Sequence, residues 1–205
     1  MKRGFTLIEM LIVIGIIAIL SAVSAFSYGK VIERTQTAKL QELVHEVQTG
    51  LVQILQKDDS WPHALLTEAA SGNGQLKPEI GGILAKRGVI SLSYEATSRD
   101  GTTYYKLTGL NKFGILTPWA EDVVRRLVKG GKLSESTKVP TGGTIESHRL
   151  RFAVDSDYSG KVVISGEGGI SCTVRANACV WSAGKDGGFG TKDDVKSWAK
   201  GQEVR

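Results

Sequence analysis

The chain has 205 residues, 41% of them hydrophobic and 23% charged, with a formal net charge of +5 at pH 7. Once a helical stalk is set aside, roughly 150 residues remain, enough for one globular domain and not two. The densest basic cluster, Arg125, Arg126, Lys129 and Lys132, shares its segment with Glu121 and Asp122; that mixture fits a solvated helix face, so nucleic acid is not an expected partner.

The chain opens with Lys2, Arg3 and Gly4, followed by an apolar run to about Tyr28 that carries a single acid, Glu9. A carboxylate held in hydrocarbon costs on the order of 2.5–3.5 kcal/mol even on lenient insertion scales. A chain that keeps Glu9 there needs a partner charge, and cutting after Gly4 creates one in the free amine of Phe5. A secretory signal cut before Phe26 is a weaker fit. Its apolar stretch would be about 24 residues, against about 7–15 in ordinary signals. A plain single-pass anchor needs about 20 apolar residues and is long enough, but it leaves Glu9 unexplained.

The segment Gly4-Phe5-Thr6-Leu7-Ile8-Glu9-Met10 resembles the class III, prepilin-type signal of type IV pilins and type II secretion pseudopilins. The resemblance implies cleavage after Gly4 by a prepilin peptidase, N-methylation of Phe5, and Glu9 as the residue that neutralises a neighbouring subunit's Phe5 amine during assembly. Residues 1–4 are then a leader and 5–28 a transmembrane and assembly helix. Lys2 and Arg3 remain cytoplasmic, as the positive-inside rule expects.

Beyond Tyr28 the helical pattern continues with a changed face. Val31, Leu40, Leu43, Val44, Val47, Leu51, Ile54 and Leu55 recur at three- and four-residue steps, opposite Lys39, Glu42, Glu46 and Gln53. This predicts an amphipathic half of the stalk over 29–57, its apolar stripe turned to a domain. Asp58-Asp59-Ser60-Trp61-Pro62 supplies the stop. As one helix, Phe5 to Gln56 would measure about 78 Å. No proline interrupts it, so only Gly15 and Gly29 are expected weak points.

The remainder, 58–205, is expected to fold as one domain. Ser71-Gly72-Asn73-Gly74 and Gly81-Gly82 read as loop. Val89–Tyr94 and Tyr104–Leu107 read as short strands about a turn at Arg99-Asp100-Gly101. Thr117-Pro118 opens a helix and Gly130-Gly131 closes it. The C-terminal third carries four strand-like runs, 149–154, 161–164, 172–174 and 178–181, which predict an antiparallel sheet. The resulting fold class is α+β. The pilin resemblance implies a long N-terminal helix packed on a small antiparallel sheet, with a mixed insertion over 71–140.

Two acidic turns are candidate metal sites. In Trp181–Val195, Asp186, Asp193 and Asp194 sit in a glycine-rich loop, where clustered carboxylates repel unless a cation or donors intervene. Ca²⁺ takes six to eight oxygens of this kind. The loop resembles the C-terminal calcium loop of major type II secretion pseudopilins through Ser182, Gly184, Asp186, Gly187, Asp193, Asp194, Val195 and Trp198. That resemblance implies Asp186 and one or both of Asp193 and Asp194 as side-chain ligands, with Ser182 as a carbonyl ligand. A surface loop held by Asx turns without metal is the competing reading. The second turn, Asp155-Ser156-Asp157-Tyr158-Ser159-Gly160, matches the first half of an EF-hand loop through Asp155, Asp157 and Ser159. Gly166 falls where the bidentate Glu is required and Glu167 is one residue late, so a hairpin turn explains it as well.

Cys172 and Cys179 are the only cysteines. They suit a disulfide in an oxidising compartment, yet on one continuous strand they would lie about 23 Å apart and could not bridge. Pairing therefore requires a turn near Arg175-Ala176-Asn177.

No enzymatic pattern emerges. His45, His63 and His148 are scattered, no nucleophile elbow occurs, and Gly184–Gly190 lacks a P-loop ending. The reading is a structural subunit of a type II secretion pseudopilus, stored in the bacterial inner membrane with its domain in the periplasm. Its expected partners are prepilin peptidase, further copies of itself, other pseudopilins and the inner-membrane assembly platform. A type IV pilin or minor pilin used in adhesion or DNA uptake is the nearest alternative, and a membrane-anchored binding module is the alternative from another class.

Overall fold

The computed structural model describes residues 7–87, 95–99, 102–106, 110–127, 133–166 and 170–204; for 23–27, 95–99, 102–106 and 110–111 it describes the backbone alone. The architecture is α+β, a long N-terminal helix followed by small antiparallel sheets. Helix α1 runs over Leu7–Asp58. The chain divides after Ala38 into two units, residues 1–38 and 39–205.

In the first unit the large apolar side chains of Leu7–Leu20 are exposed, Leu7 at 84%. Val31, expected on the buried stripe, is 57% exposed; it belongs to the first unit, in which none of the described side chains is buried. The second unit begins where burial begins. Leu40, Val44, Val47, Leu51 and Ile54 are all buried at helical spacing, each contributing roughly 1.5–3 kcal/mol by leaving water. Leu43 and Leu55 flank them, half-buried.

The helix stops where the sequence indicates. Asp59 takes φ +52, Asp58 pairs with Arg87, and the Trp61 indole N–H donates to the Asp155 carbonyl at 2.8 Å. Two further helices follow, α2 (His63–Ala69) and α3 (Pro78–Lys86), with strand β1 (Gly74–Gln75) between them. Gly81-Gly82, read as loop, lies inside α3. A glycine costs a helix about 1 kcal/mol. Pro78 at the start and burial of Ile80 and Leu84 outweigh that cost.

Strands β2 (Glu95–Arg99) and β3 (Thr102–Lys106) pair antiparallel. Of the expected strand pair, Tyr104–Lys106 falls in β3, whereas Val89–Tyr94, the turn centre at Asp100-Gly101, and Leu107 lie outside the described residues. Short strands β4 (Leu110–Asn111) and β5 (Gly114–Ile115) pair with each other. Helix α4 then covers Pro118–Leu127, beginning at the predicted proline. Glu121 and Arg125 pair one turn apart on its exposed side; Lys129, Gly130, Gly131 and Lys132 lie outside the described residues.

The C-terminal strands are β6 (Arg151–Val154), β7 (Val162–Ser165), β8 (Ser171–Val174), β9 (Ala178–Ser182), β10 (Val195–Lys196) and β11 (Glu203–Val204). They are antiparallel as expected but form two sheets, not one: β1-β6-β9-β10 and β11-β8-β7. The split has a packing reason. Phe152, Val154, Ala178 and Val180 face the core that contains the α1 stripe. Ala153, Cys179 and Trp181 point the other way, into a second core with Val162, Ile164, Ile170, Val174 and Trp198. Successive strand residues face opposite sides, so β6 and β9 need a layer on each face, and the second sheet provides one.

Candidate functional site

The acidic loop is built by a hairpin. Strands β9 and β10 pair through Ser182 with Val195 and Trp181 with Lys196, leaving residues 183–194 as the connection. Trp181 and Trp198 pack edge to face with centroids 6.0 Å apart, fixing the base of the hairpin. Gly187 sits at φ +68, where a side chain would run into His148 Nε2 and the Ser147 hydroxyl. This position needs glycine for both backbone and space.

Inside the loop the carboxylates converge. Asp193 Oδ2 accepts the amides of Lys185 at 2.7 Å and Asp186 at 3.1 Å. Asp186 Oδ1 accepts the Gly188 amide at 2.8 Å, and Asp194 Oδ2 accepts the Gly190 amide at 2.7 Å. Their remaining approach is to one atom. Thr191 Oγ1 lies 2.6 Å from Asp193 Oδ1, 3.2 Å from Asp194 Oδ1, 3.4 Å from Asp186 Oδ1 and 3.2 Å from the Gly188 carbonyl. A hydroxyl carries one proton. It can satisfy one of these oxygens at a time; of the carboxylate oxygens about it, Asp186 Oδ1 also has the Gly188 amide.

The electrostatics follow. Burial pushes the Asp193 carboxyl up, but the Thr191 hydroxyl and the Asp186 and Lys185 amides together hold it below its ordinary value. Asp194 goes the other way. Burial raises it, and the Gly190 amide, the Thr191 hydroxyl and Lys196 offset that only in part.

The loop rests on a second turn. His148 is fully buried; its Nε2 is 2.9 Å from the Gly142 carbonyl and its Nδ1 is 2.7 Å from the Thr117 hydroxyl. This pattern suits the neutral ring, with Nε2–H donating to Gly142 and Nδ1 accepting from Thr117. Burial lowers the His148 pKa, opposed by the Gly142 carbonyl and by Asp186 and Asp193. Thr117, predicted as a helix cap, thus turns its hydroxyl to an imidazole beneath the acidic loop.

The donors in the loop are all oxygens, the hard set that Ca²⁺ selects, and three carboxylates and a carbonyl gather about one point. Among the described residues, no three His, Cys, Asp or Glu side chains form a metal-holding group by themselves, so carbonyl, hydroxyl or water oxygens would have to complete a shell. Ser182, expected as a carbonyl ligand, has a fully buried hydroxyl with no hydrogen-bond partner and pairs with Val195 at the loop's base.

The second acidic turn is closed on itself. Asp155 is buried; its Oδ1 accepts the Ser159 amide at 3.0 Å and its Oδ2 the Gly160 amide at 2.7 Å. Asp157 Oδ1 also reaches the Ser159 amide, at 3.2 Å. The hairpin-turn reading accounts for these contacts without a cation; Glu167 lies outside the described residues. Thr191, Gly188 and His148 carry no role in the sequence reading. Thr191 sits two and three residues before Asp193 and Asp194, the spacing at which a hydroxyl meets a following carboxylate, and that signal was there to use.

At the other end, Glu9 lies in the first turn of α1, in the stretch Leu7–Leu20 whose large apolar side chains are exposed. Gly4 and Phe5 lie outside the described residues, as does the side chain of Phe26. Among the described residues no helix is long and apolar enough to cross a membrane. Residues 1–25 match the family described as the prokaryotic N-terminal methylation motif. The N-terminus is a prepilin-type signature. This motif marks type IV pilins and pseudopilins, which are structural proteins, and it implies processing by prepilin peptidase and assembly with pilin-like subunits. No curated protein and no solved structure matches the chain.

Proposed function

We propose that this chain is a non-catalytic subunit of a type II secretion pseudopilus. It is held in the inner membrane by residues 5–28, cut after Gly4, N-methylated at Phe5 and polymerised through its N-terminal helices, with other pseudopilins and the inner-membrane assembly platform as further partners. The observation that carries the reading is the methylation motif at residues 1–25 running into a helix with Glu9 in its first turn and outward apolar side chains behind it. Such side chains pack as well against sister helices as against lipid, and Glu9 supplies the charge that answers a neighbour's amine.

The acidic loop favours the pseudopilus over a type IV pilus. Asp186, Asp193 and Asp194, with loop carbonyls that include Ser182 or Gly188, form a Ca²⁺ site that stiffens the β9–β10 hairpin. Bound Ca²⁺ would cancel the repulsion among the three carboxylates. The convergence of their oxygens on the Thr191 hydroxyl supports this reading.

The test is the intact mass and N-terminal peptide of the membrane-extracted protein. A chain starting at N-methylated Phe5 upholds the processing step. A chain starting at Phe26 is a secreted protein, and both polymer and Glu9 pairing fall with it. An intact leader on a membrane-bound, non-polymerising chain makes it a tethered binding module instead.

A further inference from the structure

The two cysteines lie on different sheets yet face one core. Cys172 stands on β8 opposite Ile164, and Cys179 stands on β9 opposite Ala153. Cys179 is fully buried in the second core, and half-buried Cys172 packs against the same cluster. The condition set by the sequence is met, since 172–179 is not one strand. The chain leaves β8, bends at residues 175–177 and enters β9 in the other sheet. The bend is anchored on both sides, by the Arg175 amide donating to the Gln202 carbonyl and by the Asp155 amide donating to the Asn177 carbonyl.

Strands β8 and β9 are not hydrogen-bonded neighbours in either sheet. Burial, and then the nearby Cys172 sulfur, push the Cys179 thiol up to about 12.

We propose that Cys172 and Cys179 form a disulfide that covalently joins the two sheets across the 175–177 bend. The structure holds both as free thiols, the reduced member of the couple. Oxidation needs a disulfide-bearing partner, either a small-molecule disulfide or a thiol-oxidising protein. The more accessible Cys172 attacks as thiolate, forming a mixed disulfide and releasing one thiol from the oxidant. Cys179 then loses its proton and attacks Cys172 Sγ, releasing the second thiol. Two thiol protons and two electrons pass to the oxidant, and one S–S bond forms in the chain. Because burial disfavours the Cys179 thiolate, the second step is the slow one. Only the supply of oxidant in the cell rests on the periplasmic placement proposed above.

The experiment uses the full-length protein in detergent, equilibrated with glutathione disulfide, then denatured, alkylated and digested with trypsin. Cleavage after Arg175 separates the two cysteines, so an internal disulfide appears as a linked pair of peptides that reduction splits. That product, with no alkylated cysteine, is the expected result. Glutathione retained on Cys172 with Cys179 alkylated, or both cysteines alkylated, overturns the pairing. Cys172→Ser should abolish the linked pair and leave Cys179 alkylatable. Alkylation in intact cells then reads the compartment separately. A chain that pairs in glutathione but is reduced in cells keeps the disulfide geometry and removes the periplasmic placement.

Discussion

Thr191 Oγ1 lies 2.6 Å from Asp193 Oδ1 and within 3.4 Å of carboxylate oxygens from both Asp186 and Asp194. One proton serves a space that three acids share. Thr191→Val keeps the shape and removes that proton. It should lower domain stability by about 1 kcal/mol, the usual worth of one hydrogen bond, measured by thermal melting in chelator. An unchanged midpoint would show that the backbone amides alone hold the loop.

Calcium should raise the melting midpoint of the wild-type protein. At a hundred times the dissociation constant the gain is about 2.7 kcal/mol by mass action. Asp186→Asn should abolish most of that gain while leaving the chelated midpoint nearly unchanged, because an amide oxygen still accepts the Gly188 N–H. Identical melts of the wild-type protein in calcium and in chelator would dispose of the metal site.

His148 makes a pH prediction with a definite sign. Its folded pKa lies below the ordinary 6.5 because the ring is buried. The unfolded chain therefore binds the proton more readily, and stability rises with pH between the two values. The contribution is complete above about 6.5 and is lost as pH falls through the folded-state pKa. His148→Gln should flatten the stability curve over that interval in urea titrations at stepped pH. A curve as steep as the wild type's would assign the loss to other groups.

Glu9→Ala should leave the chain in the membrane fraction and prevent its incorporation into filaments, with Glu9→Gln behaving alike. Co-expression with the wild-type chain and shearing of assembled polymer gives the readout. Normal incorporation of either variant would falsify charge pairing with a neighbour's amine.

Leu51 is wholly buried on the α1 stripe. Leu51→Ala should cost about 2–5 kcal/mol, the range for buried leucine truncations, whereas the exposed Val31→Ala should change domain stability little. Equal losses at both positions would contradict the division of the helix at Ala38.

Much of this was readable in the chain because the signals were periodic or steric. The α1 stripe from Leu40 to Ile54, the break at Asp59 and the start of α4 at Pro118 each rest on local spacing or on a residue with few allowed conformations. Gly81-Gly82 misled because burial of Ile80 and Leu84 overrides glycine's helix cost, and burial is decided by distant residues. The two-sheet split was hidden for the same reason: Ala153 and Cys179 reveal the second layer only when the packing on both faces is known. At the loop, Asp186, Asp193 and Asp194 could be named from spacing. Thr191 as their meeting point and His148 beneath them depend on the fold of a separate segment, residues 142–148, against the loop.

Strands β6 and β9 are walled on both faces, by Phe152, Val154, Ala178 and Val180 on one side and by Ala153, Cys179 and Trp181 on the other. Any opening that frees their amides must dismantle both cores together. Their amide protons should therefore be the last in the domain to exchange with deuterium, at the full cost of global unfolding, whereas those of the acidic loop exchange through local opening alone. The domain thus keeps a slow centre and a fast rim.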